Sequence, residues 1–252
     1  MKYYNIVFSP CGGTQKIANL IATNLTENVT EIDLSNPTFV DITLEKDSVA
    51  IIANPSYGGR VPPIVLEHLK KIMANKAKAI LVISFGNRAI DDTLLELYEE
   101  AIKLSFIPVA ALVAVSQHTL FTQFAVGRPD EDDNKELIKF AKVIKEKLEA
   151  KNSSFSNPIP GNKPYKIFKG CPIKPVGNNK CIKCLKCVAS CPTGAIKKET
   201  PRLTDKTKCI SCMRCVTICP TQARHGNNLL LKIASSSMKK EFEGRKPNML
   251  YI

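Results

Sequence analysis

Residues 181–220 repeat one pattern twice, CIKCLKCVASCP and then CISCMRCVTICP. Each copy reads C-x2-C-x2-C-x3-C-P, and together they use eight of the ten cysteines in the chain. Three thiolates spaced two residues apart can wrap one corner of a cuboidal cluster, while the longer gap before the fourth carries it toward a neighbouring site. In bacterial runs of this form the fourth cysteine ligates the other cluster. On that pattern Cys181, Cys184, Cys187 and Cys219 are expected on one 4Fe-4S cluster, and Cys209, Cys212, Cys215 and Cys191 on a second. Crossed ligation of this kind ties both halves into one unit that has little apolar core and should depend on metal to fold. Pro192 and Pro220 should end each cysteine-bearing element and fix the turn that follows. Two zinc ions are the rival reading of eight thiolates, and the doubled four-cysteine run with its proline speaks against it. Disulfides are disfavoured by the crowding of three cysteines in a row and by an N-terminus, MKYYNIVFSP, too polar for an export signal.

Charge divides the chain at the same place as cysteine does. Residues 1–150 hold 16 Lys and Arg against 19 Asp and Glu, a net of −3. Residues 151–252 hold 20 against 4, a net of +16. Before residue 171 the one cysteine is Cys11. The expected organisation is therefore an α/β domain over 1–150, a linker over 151–175, a small cysteine-rich α+β domain over 176–228, and a basic C-terminal extension over 229–252.

Along the first 150 residues, short apolar runs alternate with amphipathic ones. YYNIVF predicts a first strand, and the glycine-containing turn SPCGGT leads into a helix with Ile17, Leu20, Ile21 and Leu25 on one face. VTEIDL, DSVAIIANP, AKAILVISF and FIPVAALVAV predict four more strands. Helices are expected over 62–75, opened by Pro62 and Pro63, over IDDTLLELYEEAIK, and over 129–150, whose acidic start and lysine-rich end complement the helix dipole. Near-continuous apolar strands separated by helices mean a parallel sheet covered on both faces. Five strands and four helices suit a doubly wound sheet of flavodoxin type, which binds ligands beyond the carboxyl ends of its strands. No stretch approaches 18 apolar residues, so no membrane span is expected.

The unusual residues gather in three loops that this topology places on one rim. Ser9 to Thr14 form a glycine turn at a helix N-terminus, where backbone N–H groups can face a phosphate. Pro55, Tyr57, Gly58 and Gly59 offer an aromatic ring and close backbone approach to a flat heterocycle. Gly86, Asn87 and Arg88 offer donors to its polar edge, while Asp91 and Asp92 are expected to cap the next helix. Cys11 at the helix head could have a lowered pKa and be reactive, or serve as a small filler beside the phosphate. Cys171 has no assigned role, and His118 could face the rim or satisfy its own loop.

These loops carry a family resemblance. SPCGGT resembles the Thr/Ser-x-Thr-Gly-x-Thr phosphate loop of flavodoxin-like domains, with Cys11 where threonine is usual and Gly13 where asparagine is common. The whole chain resembles the EFR1-family ferredoxins, flavodoxin-like proteins fused to a bacterial-type two-cluster ferredoxin; SQHT at 116–119 and GRPD at 127–130 match segments of that group. The resemblance implies an FMN phosphate held by Ser9, Cys11, Gly12, Gly13 and Thr14, and an isoalloxazine flanked by Tyr57, Gly58, Gly86 and Asn87. One of the two cysteine runs is then expected near the rim formed by loops 54–60 and 85–92.

The function that follows is electron transfer in the cytoplasm between external redox partners, expected to have acidic surfaces, since lysines on the basic half would steer them. Two rivals remain: a flavin-dependent reductase of a small substrate, and a nucleic-acid-binding protein with structural clusters. The chain lacks a G-x-G-x-x-G dinucleotide fingerprint, a G-K-[ST] phosphate loop and a G-x-S-x-G elbow. It also lacks the aromatic platforms by which proteins hold bases.

Overall fold

The computed structural model describes residues 1–150, 155 and 157–252. The linker expectation for residues 151–154 and 156 lies outside the described residues. In chain order the elements are β1 (Tyr3–Val7), α1 (Gly13–Leu25), β2 (Val29–Asp33), β3 (Ile42–Thr43), β4 (Val49–Pro55), α2 (Pro63–Leu69), β5 (Ile72–Met73), β6 (Lys78–Phe85), α3 (Thr93–Lys103), β7 (Ile107–Val115) and α4 (Glu131–Glu149). They continue with β8 (Val176–Gly177), α5 (Lys186–Ala189), α6 (Arg214–Thr217), β9 (Arg224–His225), α7 (Asn228–Ser237), α8 (Lys239–Phe242) and β10 (Met249–Tyr251).

The main sheet runs β10-β7-β6-β4-β1-β2. Its five strands β2-β1-β4-β6-β7 are parallel and follow the 2-1-3-4-5 order of flavodoxin-type sheets. Alternate residues of each strand face opposite layers, which is why the strands read as continuous apolar runs. Ile51, Val82 and Leu112 pack with Ile17 and Ile21 of α1 and Leu137 and Ile144 of α4. Ile52, Leu81 and Val113 pack on the other face with Val65 of α2 and Leu94 and Leu97 of α3. This is a flavodoxin-like parallel core with a small auxiliary domain attached.

Three expectations change. Residues 62–75 are a two-turn helix, α2, followed by β5, which pairs in parallel with β3 in a separate two-stranded sheet. The Asn75 amide donates to the Leu44 carbonyl and holds that small sheet in place. Asp92 stands at the head of α3 without a side-chain cap; its carboxylate instead accepts from the backbone N–H of Asn162 at 2.8 Å and of Lys166 at 2.6 Å. It therefore anchors the connecting segment to the sheet domain.

The C-terminal residues do more than extend the chain. β10 joins the main sheet as an antiparallel edge strand, with Met249 opposite Val113 and Tyr251 opposite Ala111. Arg128 and Asp133, both buried, form an ion pair, and Arg128 also donates to the Lys246 carbonyl at 2.8 Å. Arg245 pairs with Asp130 at 2.6 Å, and the Asn248 amide donates to Asp133 at 2.9 Å. Burial opposes the charge on Asp133, yet hydrogen bonds from Arg128, the Asp130 N–H and Asn248 hold its carboxyl below the usual range. The GRPD segment is thus the clamp on the returning tail.

Candidate functional site at the junction of the two domains

Beyond the carboxyl ends of β1, β4, β6 and β7 lies a cavity of about 390 Å³, walled on one side by the sheet domain and on the other by the small domain. The β1–α1 turn contributes Ser9, Cys11, Gly13 and Thr14. The β4 loop contributes Pro55, Tyr57 and Gly58, and β6 ends in Ser84 and Gly86 at the wall. The connecting segment contributes Cys171, and the small domain Ile210, Ser211, Cys212 and Thr217. Four of the rim residues singled out from the sequence, Gly12, Gly59, Asn87 and Arg88, do not line it.

Inside the turn, the hydroxyls are committed to the protein. Ser9 Oγ accepts from the Gln15 N–H at 2.9 Å, and Thr14 Oγ1 shares a hydrogen with Ser84 Oγ at 2.7 Å. Gly12, at φ 88°, takes the left-handed conformation that begins the helix, and a side chain there would meet open space. The Cys11 thiol donates to the Cys212 carbonyl at 3.2 Å and accepts from the Thr217 hydroxyl at 3.3 Å. Burial raises its pKa, and Thr217 and Arg214 offset that only in part. The lowered pKa considered for a thiol at a helix head therefore does not appear, because loss of water outweighs the Thr217 hydrogen bond and the Arg214 charge. Cys11 is a packed thiol at the domain contact.

His118 follows β7 and also lines the cavity. Its Nδ1 accepts from the backbone N–H of Leu120 at 3.1 Å and of Phe121 at 3.0 Å, which puts the ring proton on Nε2. Burial, with the Arg88 charge nearby, pushes its pKa down to about 4, so the ring is neutral at physiological pH. Phe121, Phe124 and Phe242 cluster around it, Phe242 coming from the returning tail. Ser84, Ser116 and Arg128 complete the wall and carried no role in the sequence reading. The SQHT and GRPD segments were the available signal for two of them, since each lies next to a strand end or helix head.

The FMN expectation is corrected by the state of the ring-side residues. The Asn87 amide donates to the carbonyls of Phe242 at 2.6 Å and Gly244 at 2.7 Å. Arg88 pairs with Asp91, and Asp91 also covers Gly59. A methyl group at Gly58 would fall 2.2 Å from the Phe168 ring, and one at Gly86 would fall 2.5 Å from His118. The glycines meant for close approach to a heterocycle are covered by the protein's own rings, and the Asn87 and Arg88 donors are spent on the tail and on Asp91. Tyr57 is itself half-buried, edge-on to Phe8 at 6.3 Å, and loss of water around its hydroxyl raises its pKa well above the ordinary phenol value.

In the small domain the sequence repeat is also a structural one. Lys183 and Leu185 in the first run, and Ser211 and Met213 in the second, all have φ between 56° and 62°. Gly194 and Gln222, each three residues past a fourth cysteine, match at φ 60° and 52°. Cys191 Sγ accepts from the Ala195 N–H at 3.3 Å, and Cys219 Sγ from the Ala223 N–H at 3.2 Å. β8 and β9 close the unit as a short antiparallel pair. Burial is the main cause that pushes the Cys212 thiol up to about 12 and the Cys215 thiol up to about 11; Cys191 lies near enough to both to add to the shift. Among the described residues, however, no group of three or more His, Cys, Asp and Glu side chains is arranged to hold a metal ion. That finding corrects the expectation of two 4Fe-4S clusters and of iron–sulfur metal binding.

The second cysteine run is the one brought to the rim, through Ile210, Ser211 and Cys212. The connecting segment fastens this arrangement: the Arg60 guanidinium lies over the Tyr165 ring at 4.9 Å and donates to the Lys166 carbonyl at 2.8 Å. No helix among the described residues is long and apolar enough to cross a membrane.

Residues 180–223 match the family model described as a 4Fe-4S dicluster domain. No curated protein matches the chain. Among solved structures, a flavodoxin from the domain Archaea shares 12% identity, with 60% of this chain and 100% of that one covered at a TM-score of 0.44. Rubredoxin oxygen:oxidoreductase from Desulfovibrio gigas shares 15%, with 58% and 35% covered at a TM-score of 0.40. A flavodoxin from Streptococcus pneumoniae TIGR4 shares 20%, with 57% and 99% covered at a TM-score of 0.39.

Proposed function

We propose that this chain is an electron-transfer protein that exchanges electrons between external redox partners across the junction of its two domains. The observation that carries the reading is the contact of the second cysteine run with the glycine turn, where Cys11 Sγ meets the Cys212 carbonyl at 3.2 Å. A flavodoxin-type sheet offers its ligand rim at the carboxyl ends of the strands. Here the cysteine-rich domain is seated on that rim, so the rim faces a protein domain more than it faces solvent. An enzyme acting on a diffusing substrate needs that rim free on its outer side, and here Ile210, Ser211 and Cys212 of the second run form one wall of the cavity while the rings of Phe168 and His118 cover Gly58 and Gly86.

The narrower kinship with the EFR1-family proteins belongs to the same reading, supported by SPCGGT, SQHT, GRPD and the doubled cysteine run. So do a division at 1–150, 151–175, 176–228 and 229–252, a cytoplasmic setting, and protein partners with acidic surfaces in place of membranes or nucleic acid. Anaerobic purification, with iron, sulfide and flavin measured per chain and a reductive titration followed by absorbance, tests it. Reversible uptake of at least one electron per chain is expected, and the quantitation identifies the group that takes it. A chain that accepts no electrons from a strong low-potential reductant ends the reading.

A further inference from the structure

The two cysteine runs share a backbone but not an environment. Ile210, in the second run, packs against the sheet domain's core and lines the cavity. Ser211 and Met213 beside it are buried, and Arg214 reaches Asp33 of the sheet domain at 3.8 Å. The matching positions of the first run are Ile182, Lys183, Leu185 and Lys186. Ile182 is 65% exposed, and Lys180, Lys183, Cys184 and Lys186 are exposed with it. The side chains of the three lysines make no ion pair or hydrogen bond among the described residues. No acidic residue occurs between Lys180 and Lys198.

We propose that the first run, with Ile182 at its tip and Lys180, Lys183 and Lys186 around it, is the docking face for an external redox protein that presents carboxylates around an apolar patch. The inference rests on the electron-transfer reading. Its model is internal: the second run already docks in this way, with an isoleucine seated on the other domain and a cation paired with an aspartate. An isoleucine left 65% exposed at the tip of an otherwise identical turn is the same knob without its socket. The cationic surround selects an acidic partner and speeds its approach. Nucleic acid is a poorer fit, because the loop from Lys180 to Cys187 presents an aliphatic tip and contains no aromatic residue on which a base could stack.

Carbodiimide cross-linking of the full chain to a purified acidic flavodoxin, used as the probe and followed by peptide mapping, tests the face. Links are expected mainly at Lys180, Lys183 and Lys186, with few at Lys139 and Lys142 on α4. The Lys183→Glu, Lys186→Glu pair should weaken binding on the order of tenfold at low salt, and Ile182→Ser should weaken it several-fold. The Lys139→Glu, Lys142→Glu pair makes the same change in net charge and should leave binding within about twofold. Equal losses for both pairs, or links spread evenly over exposed lysines, overturn the proposal, as does duplex DNA binding that is lost in the first pair while flavodoxin binding persists. Reversible reduction of these variants, measured alongside, separates failure of this docking face from failure of the electron-transfer reading.

Discussion

The sheet domain buries two apolar layers, one on each face, with Ile6, Ile51, Leu81, Ile83 and Leu112 fully enclosed. The cysteine-rich domain buries Ala195, Ile196, Met213 and Ala223 among its apolar residues, with Ile173 added from the connecting segment. Its order comes instead from repeated turns, from N–H groups directed at the sulfurs of Cys191 and Cys219, and from the contact its second run makes with the neighbouring domain. A domain with so small a core borrows stability from the surface it sits on. The difference explains why one half can be read from hydrophobic pattern and the other only from spacing.

The largest effect should come from the clamp that binds the tail to the sheet domain. Arg128→Ala removes the buried partner of Asp133 and leaves it only the more exposed Arg245 at 3.2 Å, which should cost about 3–5 kcal/mol in denaturant unfolding, because a half-exposed cation compensates a buried charge poorly. A loss under about 1 kcal/mol would mean that β10, and not the clamp, holds the tail. Leu81→Ala, in the middle of the sheet, should cost about 2–5 kcal/mol and lower the whole transition. Ile196→Ala should instead loosen amide protection over 176–225 while the sheet amides stay protected; a single shared transition would show that the two domains unfold as one.

His118 gives the comparison a pH arm. Its folded pKa of about 4 lies below the unfolded value near 6.5, so the unfolded chain takes up the proton first as pH falls. Its neutral form supports the fold fully above about pH 6.5, and up to about 3 kcal/mol is lost between there and pH 4. Stability measured against pH in wild type and His118→Gln should diverge in that window; parallel curves would remove His118 as the cause. The smallest effect is expected at Gly58, where φ is 60° and the Phe168 ring lies against the backbone. Gly58→Ala should cost about 1 kcal/mol or somewhat more and raise amide exchange over 160–170, which would measure how firmly the connecting segment rests on the sheet domain.

The five parallel strands were legible because each must be apolar on both faces, and runs such as AKAILVISF have no other use in a chain of this composition. The rim loops were legible in position, since glycine and proline mark where strands end, but their contacts were not. Asn87 and Arg88 looked like donors waiting for a ligand, and both turned out to be occupied by residues more than 150 positions away or by Asp91 close by. β10 was not legible because three residues, MLY, at the end of a lysine-rich stretch carry no periodicity of their own; the free edge of β7 makes them a strand.

The sequence by itself determined the two-part construction, the two-sided sheet and the doubled cysteine turn, because period, spacing and composition are local properties. Tertiary structure decided which turn faces inward, where the tail packs, and that Phe168 and His118 cover the glycines of the rim. Those outcomes depend on pairings between distant segments, whose energies come from burial and partner geometry that no local pattern encodes.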